Sequence, residues 1–338
     1  MKVVAILGEG KAGLIDRPDP TPKEDFALVK VHLTPMCTEY KTFKSGNETE
    51  KLGHEAAGEV VEVTQPGPVK VGDRVVVQPQ YPCGRCSLCL AGDYIHCQNG
   101  RDFEKIFGST TGTATYAQYL LKPAWLLSNI PDGVSYEHAG MAVCGLGPTF
   151  GAMRQMRVDA LDTVLITGLG PVGLGAVINA RYFGARTFGV ESNAYRAKLA
   201  KELGAEEVFD PNDKNVLQHI LDATGGVGVD KAVDCSGASP AHRLMLDSLR
   251  RKGQASFVGQ GKDFPLSVSK DMIRKGLVLR GVWHYNIGEY PEIMKVIQNS
   301  PDQLDRFITH RFPMSQVQNA FESQVTGETG KVVLDPWK

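Results

Sequence analysis

Up to about residue 145 the apolar positions fall in short runs, at 27–33, 59–63 and 74–78, separated by Pro, Gly and Asp. Runs of this length predict strands, and the turn-forming residues between them predict a loop-rich, mostly antiparallel domain. From about residue 146 the texture changes. Apolar runs at 163–167, 187–190, 206–209, 231–234, 254–258 and 277–280 alternate with helical patterns, which predicts six strands in a doubly wound parallel sheet. The tail is mixed again: 291–298 and 316–323 read as helices and 331–334 as a strand. The longest apolar stretch, 164–180, contains four glycines and a proline, so it reads as strand, turn and helix and not as a membrane span. The fold class is α/β.

Composition narrows the functional classes. A chain of 338 residues, 42% hydrophobic and 22% charged, can bury a substantial core and is expected to divide in two. A net charge of -1 offers no basic footprint for nucleic acid. The apolar run 3–7 is too short for a signal-peptide core and meets Glu9 almost at once. Seven cysteines, four of them clustered, suit metal binding in a reducing compartment better than a disulfide framework. The expected location is cytoplasmic, with no membrane partner.

The cluster is Cys83, Cys86, Cys89 and Cys97, with C-x2-C-x2-C-x7-C spacing. Four thiolates on short, Gly-broken loops can close a tetrahedral shell on zinc, and with no position left open such a site is structural. C-x2-C-x2-C also opens the bacterial ferredoxin pattern, but that pattern continues C-x3-C-P and this one does not.

A second motif follows the strand at 163–167. Gly168, Gly170, Pro171, Val172 and Gly173 form G-L-G-P-V-G and lead into a helical stretch at 174–183. Gly168 permits a tight turn, Gly170 lets the backbone approach a pyrophosphate, and Gly173 lets the helix pack close to the strand. Glu191 lies eighteen residues beyond Gly173 at the end of the next strand. A carboxylate there accepts both ribose hydroxyls of NAD and repels a 2'-phosphate, which favours NAD over NADP. Arg196 reads as a secondary contact on the ribose side, its alternative being a helix surface.

These pieces occur in a known order. The cysteine lobe, Gly53-His54-Glu55 with AAGEVVEV after it, VKVGDRVVV at 69–77, YAQYL at 116–120, IPDGVS at 130–135 and GLGPVGL at 168–174 together resemble the medium-chain zinc alcohol and polyol dehydrogenases, over nearly the whole chain. The resemblance implies a β-rich GroES-like catalytic zinc domain at 1–145, rejoined by about 282–338, and a Rossmann dinucleotide-binding domain at 146–281. It also implies one catalytic and one structural zinc, and a homodimer or homotetramer.

By the same resemblance, Cys37, His54 and Cys144 match the positions of the catalytic zinc ligands. Three protein ligands leave a fourth position for a substrate oxygen, and the metal lowers the alcohol's pKa so that an alkoxide can release hydride. Glu55 is expected behind the histidine or as a transient ligand. Each has a plainer alternative: Cys37 as a small core residue, His54 as a structural histidine, and Glu137 or His138 in place of Cys144. Cys235, at a strand end, reads as core. The family's early motif is Cys, any residue, Ser or Thr, Asp, whereas this chain has Cys37-Thr38-Glu39-Tyr40. Hydroxyl and carboxylate both stand one place early, so Thr38, Glu39 and Tyr40 all remain candidates for proton relay.

The expected activity is hydride transfer from a secondary alcohol, in a polyol or sugar-derived substrate, to NAD. Trp283, His284 and Tyr285 are expected to supply an aromatic wall for the substrate, or else a plain packing cluster. A primary or aromatic alcohol dehydrogenase of the same fold is the alternative, and a non-catalytic nucleotide-binding protein is the remaining class.

Overall fold

The computed structural model describes residues 1–261 and 263–338. The chain forms two compact units: Met1–Gly145 with Asn286–Gln298 and Ile308–Lys338, and Leu146–Tyr285 with Asn299–Phe307. The expected boundaries therefore shift in the tail, where 282–285 and 299–307 belong to the second unit. The helix Pro301–Phe307 and the strand Ile308–Pro313 did not stand out in the sequence. The helix is under two turns long, and its buried anchors are only Leu304 and Phe307. The strand is half-polar and lies at the end of its sheet.

In the first unit a seven-stranded sheet is organised around the strand Phe26–Pro35. This strand pairs antiparallel with Ala56–Val63, Tyr119–Pro123 and Lys331–Asp335. Its Val and Leu residues explain its central place: Val29 and Val31 are fully buried against Val60, Val75 and Leu120. A separate hairpin pairs Lys2–Gly8 with Lys11–Asp16. Its Val4 and Ile6 pack with Met36, Tyr116 and Phe321, which brings the segment after Met36 against the helix Val317–Thr326.

One buried cation in this unit titrates unusually. Lys122 donates to the Gln80 carbonyl at 3.0 Å and lies 4.0 Å from the centre of the Tyr81 ring. Burial pulls its ammonium down from 10.5 to about 7. A lysine with a lowered folded-state value contributes stability that is fully present above its unfolded value and is lost as pH falls towards the folded one. Relative to Lys122→Met, the parent should therefore gain thermal stability as pH rises from about 7 to about 10. A parent-minus-variant Tm difference that is flat over that range would contradict this.

The second unit is a six-stranded, all-parallel sheet in the order Glu207–Phe209, Arg186–Val190, Thr163–Thr167, Val229–Asp234, Leu249–Phe257, Val278–Gly281. In sequence terms this is 3-2-1-4-5-6. The order reverses between Thr163–Thr167 and Val229–Asp234, and ligands of such sheets bind at that reversal, beyond the carboxyl ends of the strands. The helix Pro171–Tyr182 is buried on nearly every side from Gly173 to Ala180, as its apolar sequence requires. Leu165, Phe188, Ala232, Met245 and Leu249 form the core of one layer.

Candidate active site

Four cysteine sulfurs converge in the lobe at 83–97. Neighbouring Sγ atoms are 3.5 Å (Cys86 to Cys89), 3.6 Å (Cys97 to Cys83), 3.8 Å (Cys86 to Cys97) and 3.9 Å (Cys83 to Cys89) apart. A tetrahedral zinc with Zn–S of about 2.3 Å has ligand edges of about 3.8 Å. The donor set thus fits one such ion and leaves no room for a multi-iron cluster. The spacing is far too long for a disulfide, and all seven cysteines are free thiols. Backbone N–H groups of Arg85 and Cys86 hold the Cys83 thiol down at about 6, whereas burial pushes Cys89 up to about 12. Tyr94 and Trp125 pack edge to face under the lobe. From the tail, the Asn286 amide donates to the Ala91 carbonyl and to Asp93 Oδ1, and Ile287 N–H donates to the Gly92 carbonyl.

A second group gathers Cys37, His54, Glu55 and Cys144, whose ligand atoms all lie within 4.8 Å of one another. Cys37 follows the central strand, and its Sγ is 3.5 Å from Cys144 Sγ. His54 sits just before the strand Ala56–Val63. Gly53, with φ +86°, allows this approach, because a side chain there would strike Thr115 and the Tyr116 ring. Glu137 pairs instead with Arg311 at 2.9 Å, and neither Glu137 nor His138 joins the group. As alternatives to Cys144 they are set aside.

Glu39 is engaged behind the histidine. Its Oε1 is 2.8 Å from His54 Nδ1, and its Oε2 accepts from Cys37 N–H at 3.0 Å and Tyr116 Oη at 2.9 Å. Burial opposes ionisation, yet these hydrogen bonds, led by that of His54, hold the carboxyl at about 2. These contacts place Glu39 behind the histidine and Cys37, where it orients both. Tyr40 packs against the apolar cluster around Val4 and Phe321, and Thr38, next to Cys37 in the chain, is exposed.

Glu55 is fully buried. Its Oε1 accepts from Lys331 Nζ at 2.6 Å and its Oε2 from Cys144 N–H at 3.2 Å, while Oε1 is 3.9 Å from His54 Nε2. Burial pushes its carboxyl up to about 7, against the pull of Lys331. Burial works against the Lys331 ammonium as well, but Glu55 and the two thiols hold it above its ordinary value. Lys331 was missed in the sequence, where it merely heads an apolar strand; a fully buried lysine needs an anion, and that anion is 276 residues away in the chain.

In the second unit, Gly168 has φ +80° and Gly173 packs so close that a Cβ would lie 1.9 Å from the Gly168 carbonyl oxygen. Gly170 is the N-cap and Pro171 opens the helix, followed by Val172. Glu191 lies just past the neighbouring strand, where its Oε2 accepts from Leu169 N–H at 2.8 Å and its Oε1 from Asn193 N–H at 2.9 Å. Two backbone donors thus fix a carboxylate beside the glycine turn. Arg196 Nη1 lies 4.0 Å from where a Cβ on Gly170 would stand. Cys235 sits beside Gly173 at the end of Val229–Asp234. Tyr285 is buried edge to face with Phe150 and His284 is buried beside it, so Trp283, 48% exposed, is the main exposed surface of that trio.

Comparison with known proteins agrees with this inventory. Residues 23–132 match the alcohol dehydrogenase GroES-like domain, and residues 171–299 match the zinc-binding dehydrogenase domain. An L-threonine 3-dehydrogenase of Pyrococcus furiosus is 34% identical, over 98% of this chain and 98% of that protein. A D-arabitol-phosphate dehydrogenase of Enterococcus avium is 30% identical, over 97% and 95%. The alcohol dehydrogenase TADH of Thermus sp. ATN1 shares the fold, with a TM-score of 0.88 over 99% of both chains at 24% identity. On these matches the chain belongs to the zinc-binding dehydrogenase family.

Proposed function

We propose that the chain oxidises a secondary alcohol carbon of a polyol or sugar-derived substrate and passes the hydride to NAD. Cys37, His54 and Cys144 would hold a catalytic zinc, and Cys83, Cys86, Cys89 and Cys97 a structural one. The observation that supports this reading is the convergence of ligand atoms from Cys37, His54, Glu55 and Cys144, in which the Glu55 oxygens already accept from Lys331 and from Cys144 N–H. With Glu55 held back by those donors, three ligands would leave a fourth position for the substrate oxygen. When bound, the metal supplies Lewis acidity that makes an alcohol acidic enough to lose its proton near neutral pH.

The residues around it do the rest. Glu39 fixes His54 Nδ1, which directs Nε2 to the ligand group. Lys331 balances the negative charge of Glu55 and the thiolates, and Thr38 would take the substrate's proton towards solvent. The glycine turn offers backbone N–H groups to the pyrophosphate, and Glu191 keeps acceptor capacity for the ribose hydroxyls. The D-arabitol-phosphate dehydrogenase among its relatives supports a polyol-type substrate. No helix among the described residues is long and apolar enough to cross a membrane. A cytoplasmic homodimer or homotetramer completes the proposal.

The test is a panel of polyols, polyol phosphates, sugars and simple primary, secondary and aromatic alcohols, followed by NADH formation. Turnover should be highest on a secondary carbinol flanked by hydroxyls. Highest kcat/KM on a primary or aromatic alcohol would replace the substrate class. Glu191→Ala should lower kcat/KM for NAD by about 10- to 100-fold, the effect of losing hydrogen bonds to a charged group, and should narrow the preference over NADP. A parent that prefers NADP would refute the role of Glu191.

A further inference from the structure

One fully buried carboxylate in the second unit belongs to no motif discussed so far. Asp234 ends the strand Val229–Asp234, on one side of the point where the strand order reverses. Its Oδ1 accepts from Thr167 Oγ1 at 2.9 Å, Ser236 N–H at 3.1 Å and Ser236 Oγ at 2.6 Å. Its Oδ2 accepts from Gly237 N–H at 3.0 Å and lies 3.0 Å from His242 Nε2. With five donors around about four lone-pair sites, both oxygens are saturated.

The donors come from three places. Thr167 is the last residue of the strand on the other side of the reversal and immediately precedes Gly168. Ser236 and Gly237 form the loop packed on that glycine: a Cβ at Gly168 would lie 2.6 Å from Ser236 Cβ. His242 reaches in from the helix Ser239–Ser248. It is 97% buried, with Phe257 and Phe264 edge-on at 5.2 and 5.0 Å. Its Nδ1 has no hydrogen-bond partner among the described residues. The imidazole therefore has one polar use, which is to donate from Nε2 to Asp234, and the aromatic cage fixes its direction.

We propose that Asp234 and His242 are a positioning pair for the dinucleotide turn: Asp234 ties the end of Thr163–Thr167 to the 235–237 loop, and His242 holds Asp234 in the rotamer that does so. The loop in turn sets the backbone of Gly168, on which the approach of the cofactor's pyrophosphate depends. This rests on the reading of the glycine turn as the NAD site. Neither side chain touches the reacting atoms, so the pair acts on cofactor affinity and not on the chemical step.

In Asp234→Asn an amide NH2 replaces one acceptor oxygen. If it faces His242, the ring can change tautomer, but Gly237 N–H then meets a donor. If it faces Ser236, the Ser236 N–H does. Either orientation strands a loop amide at the glycine turn. His242→Gln keeps a donor for Oδ2, whereas His242→Phe keeps bulk and removes it.

The experiment measures NADH affinity by fluorescence titration, kcat at saturating NAD, Tm and zinc content for the parent and the three variants. Asp234→Asn and His242→Phe should weaken NADH binding at least tenfold. Both should keep kcat within about threefold and zinc content unchanged, and His242→Gln should recover most of the affinity. If the parent itself binds no NADH, the cofactor reading fails. If the parent binds and Asp234→Asn and His242→Phe match it, or if His242→Gln is as weak as His242→Phe, the positioning pair is wrong. Lower Tm with parental affinity likewise assigns the pair to folding alone and overturns the proposal.

Discussion

His54→Ala is expected to abolish alcohol oxidation while leaving a folded chain with its four-cysteine lobe loaded. The Lewis acid contributes several kcal/mol to the transition state, and each 1.4 kcal/mol is tenfold in rate, so kcat/KM should fall by at least about 1,000-fold. The fold should survive, because His54 is partly exposed and lies outside the regular strands. Glu39→Gln is the informative comparison. It keeps the shape beside His54 Nδ1 but removes the charge, and loss of such an outer contact lowers activity or metal affinity by about 10- to 100-fold. A His54→Ala variant with parental turnover would remove the catalytic assignment, and a Glu39→Gln variant less active than His54→Ala would mean that the carboxylate does more than orient a ligand.

Replacing Cys89 with Ala should have the largest effect on stability. Cys89 is buried and has sulfur neighbours at 3.5 and 3.9 Å, so three thiolates would remain around a shell that needs four. Structural zinc supplies binding free energy of about 10–16 kcal/mol in small metal-folded peptides, comparable to the whole stability of a domain. Loss of even part of this should lower Tm by roughly 10 °C or more and reduce soluble yield. Zinc content should fall by one ion per chain, and the anchorage of Asn286 on the lobe should be lost with it. Unchanged zinc content in Cys89→Ala would mean that these cysteines hold no metal.

How far the sequence could be read varied with the range of the interactions. The strands of the parallel sheet show because buried parallel strands are short continuous apolar runs, and the glycine turn shows because Gly168 and Gly173 each meet a local steric need at the motif's spacing. The cysteine lobe is legible for the same reason: its four cysteines lie within fifteen residues. Glu39 was harder. It stands one position ahead of the family's aspartate, and its extra methylene lets it reach His54 from just before the helix Tyr40–Ser45, which spacing alone could not distinguish from a relay. Tyr116, part of a motif already noted, gave no sign that its hydroxyl anchors that carboxylate. Lys331 and the Asp234–His242 pair depend on burial and on partners brought together by the sheets, and no periodicity reports either.

The central claim is that turnover depends on a metal held by the open Cys37, His54 and Cys144 group and not on the closed lobe. Stepwise chelation, with zinc content and NADH formation measured on the same sample, tests it most directly. The account predicts that the first zinc removed takes all activity with it, that Tm falls little, and that one equivalent of zinc per chain restores turnover. Full activity in a chain that retains only the lobe zinc would contradict it.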